Sequence, residues 1–330
     1  MNPTVVYKEH PLVSVVIPAF NADQWISKTL ESACSQSYAK LEIIVVNDGS
    51  TDQTVDQVIS AAVNDPRIHL VNQANNGVGR ARNRGVEEAQ GSLIAFLDAD
   101  DLWHPDKILK QVNCFLQHKA NRLPVGMVYC GSQTIDKNGD VIRAQISSDQ
   151  PTGQVFEKLL NENFLNNGST PLICRTAFEE TDGFMEDREA SGCADWALYL
   201  RIARNYHVYA VNEVLVGYRR AEGSMSDDYQ KMVVAHEYLV KDITAHLPAT
   251  PPHLIRNSRS LILLWLAAGS SIFSEKFKYL FKLLFENDPL FLFRRKILRL
   301  IYLTCINRIS KLFKLADLIL PSRRRAQLPT

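Results

Sequence analysis

Residues 96–107 read FLDADDLWHPDK, and they close an apolar run, SLIAFL, that begins at Ser92. Three carboxylates, Asp98, Asp100 and Asp101, stand where a buried strand should end. Packed carboxylates repel one another, and removing them from water is costly unless they are paired or bind a cation. Either this is a solvated strand end, with Asp101 capping the next helix, or a cation belongs there. A carboxylate pair at i and i+2 can hold a divalent ion and leave its other positions to phosphate oxygens, as magnesium and manganese commonly bind. A D-x-D triplet alone is a weak signal, so its setting decides.

That setting is an alternation of strands and helices over the first hundred residues. VSVVIPAF (13–20), LEIIVVND (41–48) and RIHLVNQ (67–73) read as strands, and SLIAFLD as a fourth. Between them lie helical patterns, the first with Trp25, Ile26, Leu30 and Ala33 on one face and Asn21 or Asp23 as cap. A fourth helix is expected from about Pro105 to His118. Near-continuous apolar strands separated by helices imply a parallel sheet covered on both faces, with binding sites beyond the carboxyl ends of its strands. The polar residues at those ends are Asn21, Asn47-Asp48 and Asp98 to Asp100.

Beyond Gly126 the rhythm changes. MVYCGSQTIDKNGDVI reads as two strands around an Asp-Lys-Asn-Gly turn, and further strands are expected at 169–174 and 208–219. A helix at 195–204 lies between those two. The catalytic-looking part thus spans residues 10–226. A helical region, 227–330, follows, interrupted by LPATPP.

Other segments each carry a bland alternative. VVNDGSTD makes a turn and a helix cap, which explains Gly49 and Ser50 but not a carboxylate at Asp48, where it could accept from a nucleobase N–H. NNGVGRARNRG is not a phosphate loop, and Arg80, Arg82 and Arg84 cannot all face one way on a helix. In GCADWALYLRIA, Asp195 reads either as a helix cap or as a general base at a helix N-terminus.

Taken together, VSVVIPAFN, LEIIVVNDGSTD, NNGVGRARNRG, GSLIAFLDADDLWHPDKI, TDGFMEDREASGCADWALYLRIA and YRRAEGSMS resemble the family 2 glycosyltransferases of the bacterial cell-surface glycan type. These are inverting enzymes of the GT-A fold, an α/β Rossmann-like mixed sheet with flanking helices, here with a helical C-terminal appendage. The resemblance covers about residues 12–226. It implies that Pro18, Phe20, Asn21 and Asp48 form a nucleotide pocket, with Asp48 on the base, uracil. Arg82 would line that pocket. Asp98 would contact ribose or metal, and Asp100 would be the main ligand of a divalent cation, Mn2+ or Mg2+. Asp195 matches the family's catalytic base. The implied partners are a UDP-sugar donor and a glycan or lipid-linked acceptor. Two positions depart from the family's pattern: Ala194 precedes the base where Glu is usual, and Ala221 stands where a histidine often lies near the metal.

Composition sets the remaining bounds. The 330 residues are 46% hydrophobic and 22% charged, enough for a sizeable core. Six scattered cysteines without CxxC suggest a reducing compartment, and MNPTVVYKEHPL lacks a signal-peptide core, so a cytoplasmic protein is expected. Net charge is only +1, yet residues 276–325 hold 13 Lys/Arg against three Asp/Glu. Phe277, Leu280, Phe281, Leu284 and Phe285 fall on one helical face, and Leu298, Ile301, Cys305, Ile309, Leu312, Ala316 and Ile319 on another. Such basic amphipathic helices suit an anionic membrane surface, at the inner face of the cell membrane, or else pack on protein. No nucleic-acid motif accompanies the charge, so nucleic acid is not an expected partner. Two other readings stand: a sugar-phosphate nucleotidyltransferase, which should carry an early glycine-rich loop, and a degenerate transferase domain that binds without turnover.

Overall fold

The structure is a computed structural model and describes residues 10–143, 150–220, 228–269, 278–279 and 281–282. Strands β1 (Val13–Ala19), β2 (Leu41–Asp48), β3 (Ile68–Gln73) and β4 (Leu93–Phe96) alternate with helices α1 (Ile26–Cys34), α2 (Thr54–Asn64) and α3 (Val78–Glu88). They pair in parallel, β1 lying between β2 and β4. The four apolar runs thus form the strands expected of them.

The second half turns the sheet into a mixed one. After β4 come a two-residue strand β5 (Leu102–Trp103), α4 (Lys107–Ala120), β6 (Val125–Ile135) and β7 (Val141–Arg143). Then follow α5 (Phe156–Asn161), β8 (Leu172–Cys174), α6 (Arg175–Glu179), a 3-10 turn at Arg188–Cys193, α7 (Ala194–Asn205) and β9 (His207–Arg219). The order across the sheet is β3-β2-β1-β4-β8-β6-β9-β5, with β7 beside β6. β8 is antiparallel to both β4 and β6, so the wholly parallel sheet implied by the apolar runs ends at β4. β1, β2 and β3 succeed one another outward, and the chain then returns to the far side of β1 to lay down β4. That reversal leaves a crevice at the carboxyl ends of β1 and β4, where open α/β sheets bind ligands.

Strand alternation fixes which side chains line which layer. Val13, Val15 and Ile17 of β1 face α1 through Ile26 and Leu30, whereas Val16 joins Phe96 and the α7 residues Ala197, Leu198 and Ile202 on the other side. Phe96 is completely buried and meets Phe184 edge-on with centroids 4.9 Å apart, so it ties the end of β4 to the segment leading into α7. Truncating it to alanine is expected to cost about 3–5 kcal/mol.

The chain divides into two compact units, Met1–Ser258 and Arg259–Thr330. Helix α8 (Tyr229–His246) lies in the first, where Ala235, Leu239 and Ile243 share the apolar cluster of α7. The division falls inside α9 (Pro252–Gly269). Of the basic stripes, only Phe281 is described, and it is exposed; the rest of both stripes lies outside the described residues, as does Ala221. No helix among the described residues is long and apolar enough to cross a membrane.

Candidate active site

The three carboxylates after β4 have different fates. Asp101 is completely buried, and it does not cap α4, whose N-cap is Asp106. Its Oδ2 accepts the Ser169 hydroxyl at 2.6 Å and its Oδ1 accepts the Arg219 N–H at 2.9 Å. Burial pushes its carboxyl well above the ordinary range, with Asp100 and Asp98 adding to the rise. Asp98 and Asp100 instead remain partly exposed. Burial, with Asp98 beside it, raises Asp100 to about 6. The solvated-turn reading therefore fails for Asp101, the residue it suited best.

Asp98 has a cationic partner. Arg82 Nη2, from α3, donates to Asp98 Oδ1 at 2.6 Å, and its side chain is only 7% exposed. Arg80 and Arg84 point outward to Glu186, Glu87 and Glu88, so of the three arginines only Arg82 turns inward. The same guanidinium acts on Asp195 in the first turn of α7. Burial lifts Asp195 to about 6 against the opposing pull of Arg82. Its Oδ1 accepts the N–H of Trp196, and the α7 N-cap is Cys193, so Asp195 is no ordinary cap. Tyr199, one turn further along α7, is completely buried, and its hydroxyl has no hydrogen-bond partner among the described residues.

The nucleotide-pocket candidates lie at the ends of β1 and β2. Asp48 is 4% exposed and accepts from Gln73 Nε2 at 2.7 Å and from the N–H groups of Asn76 and Gly77 at 2.8 Å each. An ionised carboxylate offers about four acceptor sites, and these contacts leave one. Asn21 does not cap α1. It takes a left-handed φ of 48°, its N–H donates to Ser50 Oγ, and its Oδ1 accepts the Thr51 N–H. Gly49 needs its φ of 77°, and a Cβ there would come within 2.9 Å of the Asn75 nitrogen. Pro18 is buried opposite Val46, while Phe20 is 50% exposed at the rim.

Four contributors escape the motif reading. Asn83 holds the Phe184 backbone through both its amide atoms, fixing the segment before α7. Arg188 reaches from the 3-10 turn to the carbonyl and Oδ1 of Asn75, 2.6 Å each, and so clasps the loop that Asp48 holds. Arg219 is 2% exposed and donates through Nε to the Asp100 carbonyl and through Nη1 to the Asp136 carbonyl. Ser169 joins Asp98 to Asp101. Asn83, Arg188 and Arg219 lie within the motif stretches, where nothing separates them from their neighbours, and Ser169 lies outside all of them.

The donor set fits a divalent ion that takes few protein ligands. No group of three or more His, Cys, Asp or Glu placed to hold a metal occurs among the described residues. Asp98 and Asp100 nevertheless form a carboxylate pair in which burial and mutual repulsion already disfavour the charge on Asp100. A cation that brings its own phosphate and water ligands relieves that repulsion with one or two carboxylates.

The mixed sheet in this order, with its flanking helices, is similar to solved structures of the GT-A class of transferase folds. Staphylococcus aureus TarS 1–349, solved in complex with UDP-GlcNAc, superposes with a TM-score of 0.55 at 16% identity over 78% of this chain and 83% of that one. The mannosyltransferase PcManGT from Pyrobaculum calidifontis, solved with GDP-Man and Mn2+, gives 0.52 at 18% identity over 94% and 88%. The family model "Glycosyl transferase family 2" matches residues 14–181. TuaG of Bacillus subtilis, a glycosyltransferase assigned to teichuronic acid biosynthesis, is 30% identical over 246 residues, 71% of this chain and 88% of that protein. The chain belongs to glycosyl transferase family 2. It spans only about a third of the length of some other relatives, 32% of one that is 30% identical.

Proposed function

We propose that this glycosyltransferase moves a sugar from a UDP-sugar to an acceptor hydroxyl, with inversion, in the assembly of a surface polysaccharide or lipid-linked glycan. The observation that carries the reading is the Arg82–Asp98 ion pair after β4, with Asp100 beside Asp98 and Asp195 within the field of the same guanidinium. The two solved neighbours, one with UDP-GlcNAc and one with GDP-Man and Mn2+, support a nucleotide-sugar donor and a divalent ion.

The residues divide the work. Asp48 accepts an N–H of the base through its remaining acceptor site, with Pro18, Phe20 and Asn21 around it. Asp98 and Asp100 would hold the cation, which would supply electrostatic stabilisation of the charge developing on the leaving diphosphate. Arg82 keeps Asp98 oriented and restrains the pKa of Asp195. Asp195, ionised at neutral pH, takes the proton of the acceptor hydroxyl as it attacks the face opposite the diphosphate. The basic segment 276–325 would hold the enzyme at an anionic membrane face, where a lipid-linked acceptor resides.

Release of UDP from a panel of UDP-sugars tests the reading. Turnover by the wild type that collapses in Asp195→Asn supports it. UDP binding with no release from any donor or acceptor combination identifies a degenerate binding domain instead.

A further inference from the structure

The segment NGST, Asn167 to Thr170, joins α5 to β8 and carries none of the residues assigned above to nucleotide, cation or proton transfer. Ser169 is completely buried. Its Oγ accepts the Asp98 N–H at 3.0 Å, and its own O–H donates to Asp101 Oδ2 at 2.6 Å. One hydroxyl therefore ties the backbone of the first carboxylate to the side chain of the last, and Asp100 sits between them.

The segment is itself held from several sides. Ser169 N–H donates to Asn167 Oδ1 at 2.9 Å, and the Ser169 carbonyl accepts Trp103 Nε1 at 3.0 Å. Gln111 Nε2 donates to the carbonyls of Thr170 and Val128, 2.8 Å each. A support anchored in this way imposes its position on the carboxylates. Gly168 adds a steric condition. A Cβ there would stand 2.8 Å from Arg82 Nη2 and 3.4 Å from Asp98 Oδ2, so a methyl group would press on the ion pair.

We propose that the Gly168–Ser169 turn is a positioning element of the donor site. The Ser169 hydroxyl fixes how Asp98 and Asp100 present themselves to the cation, and Gly168 leaves the room in which Arg82 reaches Asp98. The proposal rests on the reading of Asp98 and Asp100 as the cation-holding pair. Neither Gly168 nor Ser169 need touch the donor. Outer partners of metal-holding side chains act by orienting them. Alanine at 169 would leave the Asp98 N–H and the completely buried Asp101 Oδ2 without this partner, and the turn would shift to satisfy them.

The test is calorimetric titration of UDP into the full-length wild type, Ser169→Ala, Ser169→Thr and Gly168→Ala across a Mn2+ series, with melting temperatures taken in parallel. For Ser169→Ala the Mn2+ concentration giving half-maximal UDP affinity should rise roughly 10–100-fold. UDP affinity without Mn2+ should stay at the wild-type value, and Ser169→Thr, which keeps a hydroxyl, should recover most of the loss. Gly168→Ala retains the Ser169 hydrogen bonds and should also weaken Mn2+-dependent binding, which keeps the proposal open to refutation if Ser169→Ala does not fold. Folded variants with wild-type Mn2+ midpoints would reduce the turn to scaffold and overturn the proposal. Failure of the wild type to bind UDP or any other nucleotide with Mn2+ would instead sink the underlying reading of the site, and this proposal with it.

Discussion

Arg82 Nη2 donates to Asp98 Oδ1 at 2.6 Å, joining helix α3 to the end of strand β4. Because the same guanidinium also acts on Asp195, it is the cation on which two carboxylates from distant parts of the chain depend. Removing it should cost more than one hydrogen bond. Arg82→Gln is expected to lower stability by about 3 kcal/mol, the low end of the penalty for stripping one partner from a buried ion pair, because Asp98 keeps some access to water. Chemical denaturation measures this.

That variant should also move the pH profile. Arg82 holds the Asp195 pKa down against burial, so its loss lets Asp195 rise above about 6. The acid limb of the rate profile should shift to higher pH in Arg82→Gln. An unchanged limb would mean that the two residues do not act on one another.

Asp195→Asn should reduce kcat by roughly 10²–10⁴-fold, the usual worth of a positioned general base. UDP affinity should stay near the wild-type value, because Asp195 serves the acceptor rather than the nucleotide. Steady-state rates together with UDP titration separate the two effects.

Asp195 also makes a prediction about stability. Its folded-state pKa of about 6 lies above the ordinary 3.8, so the folded chain binds this proton more tightly than the unfolded chain. The stability it contributes is full below about pH 4 and is lost as pH rises through about 6. Asp195→Asn should therefore melt at a higher temperature than the wild type above that window, the advantage fading below it. Melting curves across the window give the sign directly.

Much of this was legible in the sequence because it is local. Short apolar runs mark β1, β2 and β4, and the polar residues after them, Asp48 and Asp98, stand at the strand ends in the structure. What escaped the reading depends on distant partners. Asp101 is defined by Ser169 and Arg219, 68 and 118 residues away, and a lone Asp before a helix looks like a cap until those partners are known. The two-residue strand β5 exists only because Gly217 and Val216 of β9 lie beside it. Asn21 serves the Ser50–Thr51 turn rather than α1 because the ends of β1 and β2 are brought together by strand pairing.

The basic segment can be tested apart from catalysis. A chain ending before Lys276 should lose sedimentation with anionic vesicles, since each nearby Lys or Arg adds roughly 1 kcal/mol at such a surface. Full-length protein should bind those vesicles in a salt-dependent manner and ignore neutral ones. Equal behaviour of the two chains would assign the stripes to protein packing.

The proposed chemistry depends first on the carboxylates closing β4 holding a cation for a nucleotide donor. Its most direct test is calorimetric binding of UDP, with and without Mn2+, to the wild type and to Asp100→Ala. UDP should bind the wild type tightly and only with Mn2+, and Asp100→Ala should lose that dependence together with most of the affinity. Equal, metal-independent binding by both proteins would contradict it.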